Sequence, residues 1–185
     1  MKLHLLPNLL TLFRMFSVGP IVYWLLTGQY RAAFVLAMFA GVSDLLDGYL
    51  ARRYGWMTHF GGVLDPLTDK LLLVSASLTL AWMGQLPWWL VALVVTRDLV
   101  IILGGLYYHF LIARITGSTP TIFSKWNTLL QILLIVSVMF GLAYPQWAGP
   151  WTGALIYIVA VTTVLSGIHY VVLWSVRARR LSRES

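Results

Sequence analysis

Six stretches of about 20 predominantly apolar residues, separated by short polar or Pro/Gly-rich breaks, fill nearly all of this 185-residue chain. A helix of that length crosses the hydrocarbon of a bilayer, so the pattern predicts an all-α, polytopic membrane protein. The six transmembrane helices are expected at about 9–27, 31–52, 60–84, 87–113, 125–144 and 151–174, in a single domain over 1–185. Residues 1–8 are too few to span and read as an interfacial lead-in. The first apolar run is broken by Arg14 and has no small-residue cleavage site before Gly28, so it does not read as a cleavable signal. Hydrophobic residues make up 59% of the chain, charged residues only 10%, and mean hydropathy is +0.81, which excludes an ordinary soluble domain. With no cysteine, any metal must be held by oxygen or imidazole.

Charge placement sets the expected orientation. Lys2, Arg52, Arg53, Arg114, Lys125, Arg177, Arg179, Arg180 and Arg183 fall at one set of helix ends, and Arg31 at the other. The richer ends are expected to face the cytoplasm, together with both termini. This distribution assigns the net charge of +7 to membrane topology and not to nucleic acid. The Arg177–Arg183 cluster also suits anionic headgroups. Trp82, Trp88, Trp89, Trp147 and Trp151 gather near the opposite ends, as an interfacial aromatic belt does.

Four of the six acidic residues, Asp44, Asp47, Asp65 and Asp69, lie in or beside apolar stretches. A carboxylate at the bilayer centre costs about 2.5–3.5 kcal/mol even on the lenient insertion scale. Asp44 and Asp47 are i and i+3, and Asp65 and Asp69 i and i+4, so each pair shares a helix face. A short connection makes the two helices antiparallel neighbours. Counting back from Arg52 puts Asp44 about 12 Å deep, in a cavity open to the cytoplasm. Four converging carboxylates stay ionised only if cations neutralise them, and with oxygen ligands two Mg²⁺ or Mn²⁺ ions are the natural occupants. Such a pair clamps phosphate during in-line displacement. Gly48, Ala51 and Gly61 clear side-chain bulk for a nucleotide or pyrophosphate, and Arg52 offers a bidentate phosphate contact.

The pattern Asp44-x2-Asp47-Gly48-x2-Ala51-Arg52-x8-Gly61-x3-Asp65-x3-Asp69 resembles the signature of the CDP-alcohol phosphatidyltransferases. The resemblance implies transfer of a phosphatidyl group from a CDP-lipid, CDP-diacylglycerol, to an acceptor alcohol with release of CMP. By the same resemblance, Asp44, Asp47, Asp65 and Asp69 would hold two metals, and Asp69 would also take the acceptor's proton. Asp47, Gly48, Ala51, Arg52 and Gly61 would line the CDP-lipid site. Many members of that family are dimers, which makes a homodimer one option.

The acceptor must be read from the remaining polar residues. Pro7-Asn8-Leu9-Leu10-Thr11-x2-Arg14 looks like the N-terminal element of the branch making anionic phospholipids, and its polar members recur every three residues. They either face the cavity or belong to an interfacial helix with a snorkelling arginine. Arg97 and Asp98 lie midway along the fourth span. Adjacent helical residues diverge by about 100°, so full mutual neutralisation is not expected, and at least one must point inward. Arg97 is the candidate for an acceptor phosphate, with Arg114 and Lys125 as helpers; a structural ion-pair network is the alternative. Arg97-Asp98 with Pro120-Thr121-x2-Ser124-Lys125-x-Asn127-Thr128-x2-Gln131 resembles the cardiolipin synthases that use CDP-diacylglycerol, with phosphatidylglycerol as acceptor. Phosphatidylglycerophosphate synthases, which use glycerol 3-phosphate, tend to carry Arg-Glu at the first place and a lysine at Asn127. Ser166-Gly167-Ile168-His169-Tyr170 is reminiscent of that broader glycerophosphate branch. His4, His59, His109 and His169 lack metal-ligand spacing and read as interfacial or packed. A divalent-cation transporter is the reading from another class, opposed by the one-sided clustering of the acids and the apolar opposite half.

Overall fold

The structure, a computed structural model, describes residues 6–54, 61–111, 122–147 and 149–181, with side-chain surroundings defined over 11–44, 68–104, 123–147 and 149–173. Six α-helices follow in order: α1 (Leu6–Leu26), α2 (Tyr30–Tyr54), α3 (Gly61–Trp82), α4 (Trp88–Leu111), α5 (Ile122–Ala143) and α6 (Trp151–Leu181). A 3₁₀ turn, Pro145–Trp147, precedes α6, and no strand occurs among the described residues. The ends fall within a few residues of the expected spans, with one larger difference at α6, which continues to Leu181 through the basic cluster. Leu6, Pro7 and Asn8 belong to α1, so the lead-in expected over 1–8 is in part the first turn of that helix, with proline in a place where its missing N–H is harmless.

The breaks between helices have a definite chemistry. At the end of α1, Gly28 N–H donates to the Leu25 carbonyl and Gln29 N–H to the Trp24 carbonyl, with Gly28 at φ 79°. The end of α3 repeats it: Gly84 N–H to Ala81, Gln85 N–H to Leu80, and Gly84 at φ 73°. Both are Schellman caps, in which a left-handed glycine lets two otherwise orphaned carbonyls find donors. Replacing Gly84 by alanine is expected to destabilise the fold by about 1 kcal/mol, read as a lower unfolding midpoint, through backbone strain alone, because nothing lies near enough to clash with the added methyl.

The helices form two compact units. The first comprises Met1–Leu86 with Ile135–Gly149, and the second Pro87–Leu134 with Pro150–Ser185, so the boundary falls inside α5. In the first unit α1 packs on α2 and α3. Its buried stripe is polar at one end (Thr11, Arg14, Ser17) and apolar at the other (Val18, Ile21, Leu25). Phe34, Phe140 and Tyr144 form an aromatic cluster near the Arg31 end, where Arg31 donates to the Ala143 carbonyl at 3.3 Å and stacks over Tyr144. In the second unit α4 packs on α6.

The exposed faces are the apolar ones. Around buried Arg14, the neighbours Leu12, Phe13, Met15 and Phe16 are exposed, Phe16 at 71%. Polar inside and apolar outside is the reverse of a soluble helix and suits a lipid surround. Trp82, Trp88, Trp89, Trp147 and Trp151 are all exposed, as belt residues would be. Among the described residues, Phe123–Ala143 and Trp151–Leu173 are by themselves long and apolar enough to cross a membrane; Thr11–Leu26 is apolar but shorter.

Candidate active site

Two polar centres stand out, one in each unit. In the first, Arg14 of α1 is 1% exposed and bonds carboxylates from two other helices. Its Nη2 lies 2.6 Å from Asp44 Oδ1 of α2, and its Nη1 donates to Asp69 Oδ1 of α3. The geometry follows from the local sequence. Thr11, Arg14 and Ser17 recur at i, i+3 and i+6, which keeps them on the stripe that α1 turns toward its neighbours. Ser17 returns its hydroxyl to the Phe13 carbonyl at 2.7 Å, so a buried serine adds no unmet group. Thr68, beside Asp69, is buried as well.

The structure therefore brings Asp44 and Asp69 to one positive charge, although they are 25 residues apart in sequence and lie on different helices. Arg14 faces the carboxylates, so of the two placements open to the N-terminal element the inward one is found, and the snorkelling one is not. Asp47, Gly48, Ala51 and Arg52 lie on α2 and Gly61 and Asp65 on α3, but their side chains lie outside the described residues. Among the described residues no group of three or more His, Asp or Glu forms a metal cluster. The donor chemistry of the described pair nevertheless fits a hard cation. Both groups are carboxylate oxygens, both already neutralise one cationic group, and their side chains remain 37% and 41% exposed, so oxygens stay accessible from the open side.

The second centre is built on Arg97. Its Nη1 donates to Asp98 Oδ1 at 2.7 Å, and its Nη2 donates to Ser124 Oγ of α5 at 2.7 Å and Ser166 Oγ of α6 at 2.6 Å. Arg97 and Asp98 are both buried. Both turn inward, where at least one was expected to, and they form an ion pair within a wider network that also takes in the two serines. The Cα–Cβ vectors of adjacent helical residues diverge, but the long arginine side chain still reaches the shorter carboxylate. The hydrocarbon stem of Arg97 also lines an open, apolar cavity of about 330 Å³ with Val100, Gly167, Ile168, Val171 and Val172.

A turn along α5, Asn127 is fully buried, and its Oδ1 accepts hydrogen bonds from Thr162 and Thr163 hydroxyls of α6, each at 3.0 Å. Three buried nitrogens, Arg97 Nε, Asn127 Nδ2 and Gln131 Nε2, lack a hydrogen-bond partner among the described residues. All are donors, so the centre is short of acceptors. Lys125 is exposed at the start of α5, adjacent to Ser124 and not turned inward with it; Arg114 lies outside the described residues. His169 packs against Phe123 at 5.2 Å, a packed residue as expected. Sequence reasoning did not single out Ser124, Ser166, Thr162 and Thr163 as partners. Ser124 and Ser166 stood only as members of the quoted motifs, and the signal of Thr162 and Thr163 was their spacing on a helix otherwise apolar.

Comparison with known proteins agrees with the spacing. The family model for CDP-alcohol phosphatidyltransferases matches residues 4–174. A Schizosaccharomyces pombe protein, a cardiolipin synthase (CMP-forming)/mitochondrial hydrolase fusion, is 35% identical over 180 residues, covering 89% of this chain and 30% of that protein. A probable cardiolipin synthase (CMP-forming) of Drosophila melanogaster is 32% identical, covering 90% of the chain and 56% of the relative. A probable phosphatidylglycerophosphate synthase of Mycobacterium tuberculosis is 35% identical, covering 90% and 79%. The chain thus spans under two thirds of the first two relatives. It belongs to the CDP-alcohol phosphatidyltransferase family, whose members are membrane proteins that generally depend on a divalent metal.

Proposed function

We propose that this protein is a phospholipid synthase that transfers the phosphatidyl group of CDP-diacylglycerol to an acceptor alcohol, with phosphatidylglycerol as acceptor and cardiolipin as product. The observation that carries the reading is the convergence of Asp44 and Asp69, from two helices, on one cationic group. Family membership adds the reaction class and argues against a cation transporter.

Asp44, Asp47, Asp65 and Asp69 would hold two divalent cations, Mg²⁺ or Mn²⁺, which when bound stabilise charge on the phosphoryl oxygens and the leaving phosphate. Asp69 accepts the proton of the acceptor hydroxyl as its oxygen forms a bond to the lipid-bearing phosphorus. The bond from that phosphorus to the bridging oxygen breaks, and CMP leaves with the electron pair. Asp47, Gly48, Ala51, Arg52 and Gly61 line the CDP-lipid site, where missing bulk lets the nucleotide approach the backbone and Arg52 grips phosphate. Arg97 takes the phosphate of the acceptor, aided by Arg114 and Lys125. The donor-rich surroundings of Arg97, with unmet N–H groups on Asn127 and Gln131, suit a phosphate-bearing polyol better than a neutral alcohol. The basic helix ends and both termini face the cytoplasm, with six spans in the bilayer and homodimerisation as one assembly.

The choice of acceptor rests on Asn127. Its carbonyl oxygen accepts from two threonines, a role for which the ammonium of a lysine has no acceptor. The phosphatidylglycerophosphate synthase reading, with glycerol 3-phosphate as acceptor, is favoured by the Mycobacterium tuberculosis relative, of which this chain covers 79%. Purified protein given CDP-diacylglycerol, Mg²⁺ or Mn²⁺ and each acceptor separately is expected to form cardiolipin from phosphatidylglycerol. Product from glycerol 3-phosphate alone would reverse the assignment.

A further inference from the structure

Arg14 has no part in the transfer just described, yet it is a buried charge held by two ion pairs. It is almost fully buried and touches carboxylates of both acid-bearing helices. A guanidinium bears its charge permanently, so burial cannot be relieved by loss of a proton as it can for lysine. Its place must be justified by the anions around it. Conversely, carboxylates partly covered by the apolar helices of a membrane protein are costly until something positive reaches them.

We propose that Arg14 is the resident counter-ion of the carboxylate site: it neutralises Asp44 and Asp69 while no metal is bound and competes with a divalent cation for the same oxygens. The proposal rests on the reading that these carboxylates hold metal. Asp44 Oδ1 and Asp69 Oδ1 are the atoms Arg14 occupies, and a cation that uses them must displace the guanidinium or share oxygens with it. At contact distance the two positive charges repel by an amount that even a high effective dielectric leaves significant. Arg14 is thus a positioning residue with a trade-off. It lets the acid-bearing helices pack against α1 before metal arrives, and it weakens the metal affinity that four carboxylates would otherwise give.

The test is Mn²⁺ binding to the full chain in nanodiscs, read by the paramagnetic resonance of free Mn²⁺, with thermal unfolding measured beside it. Arg14→Gln is expected to bind Mn²⁺ about tenfold more tightly than the parent. Its metal-free unfolding midpoint should be lower, and saturating Mn²⁺ should raise that midpoint by more than it raises the parent's. Arg14→Lys keeps a charge but cannot span two carboxylates, so it should bind about two- to threefold more tightly than the parent. If the glutamine variant does not fold, the lysine variant decides on the same criterion. Equal or weaker Mn²⁺ binding in a folded variant, with the parent binding Mn²⁺, would overturn the counter-ion role alone. No Mn²⁺ binding by the parent would overturn the metal reading and this proposal with it.

Discussion

Asp69→Asn is expected to lower CMP release by about three orders of magnitude or more while the protein still folds. Two losses combine in that one change. The amide cannot take the proton of the acceptor hydroxyl, and a positioned general base contributes about 10²- to 10⁴-fold. The amide is also a poor ligand for a hard cation, which takes carboxylate oxygen by preference. Folding should survive because the amide oxygen still accepts a hydrogen bond and Arg14 keeps its contact with Asp44. Asp47→Asn is expected to reduce CMP release severely through weaker metal and CDP-lipid binding with the general base intact, so raising the Mn²⁺ concentration should recover part of its activity and little of that of Asp69→Asn. The measurement is CMP formed per minute by detergent-purified variants with matched unfolding profiles. Full activity in both would remove the carboxylates from the mechanism.

Arg97→Met should have the largest effect on stability. It removes the guanidinium donor from buried Asp98 and strips Ser124 and Ser166 of a shared donor. Removing one member of a buried ion pair typically costs about 3–5 kcal/mol, whereas replacing both members by apolar groups of similar volume is often neutral. The double variant Arg97→Met with Asp98→Leu is therefore expected to recover most of the lost unfolding midpoint. That recovery separates the two roles open to Arg97. As a binder of acceptor phosphate, its loss leaves the folded double variant with CDP-diacylglycerol binding intact and a much raised acceptor KM. As a purely structural ion pair, its loss would leave the acceptor KM of the double variant unchanged.

How much of this was legible in the sequence depends on whether a property is local. Helix number and extent were, because bilayer thickness sets the length of apolar runs and the Gly28-Gln29 and Gly84-Gln85 caps punctuate them through backbone chemistry alone. The pairing of Asp44 with Asp69 was also legible, since helical spacing and a short connection constrain both. The place of Arg14 was only half legible. Its three-residue rhythm with Asn8 and Thr11 marks a face, but whether that face turns inward depends on α1 packing against α2 and α3, which no local pattern encodes. The Arg97–Asp98 contact was half legible for a related reason: an inward-facing charge was expected, with an ion-pair network as one alternative. Backbone divergence is a property of Cβ direction, whereas the contact is made at the end of a long, flexible side chain. Thr162 and Thr163 were least legible of all, and Ser124 and Ser166 were legible as motif members but not as partners of Arg97, because helical hydroxyls so often return to their own backbone. Thr162 does so toward Ile158 and Val159 even as it reaches Asn127.

The central claim is that the carboxylate site transfers a phosphatidyl group with the help of divalent metal. Its most direct test is CMP release from CDP-diacylglycerol by the purified protein, with phosphatidylglycerol and glycerol 3-phosphate both present. CMP should form in step with new phospholipid in Mg²⁺ or Mn²⁺ and stop when EDTA is added. Folded protein that releases no CMP with either metal and both acceptors would contradict the claim.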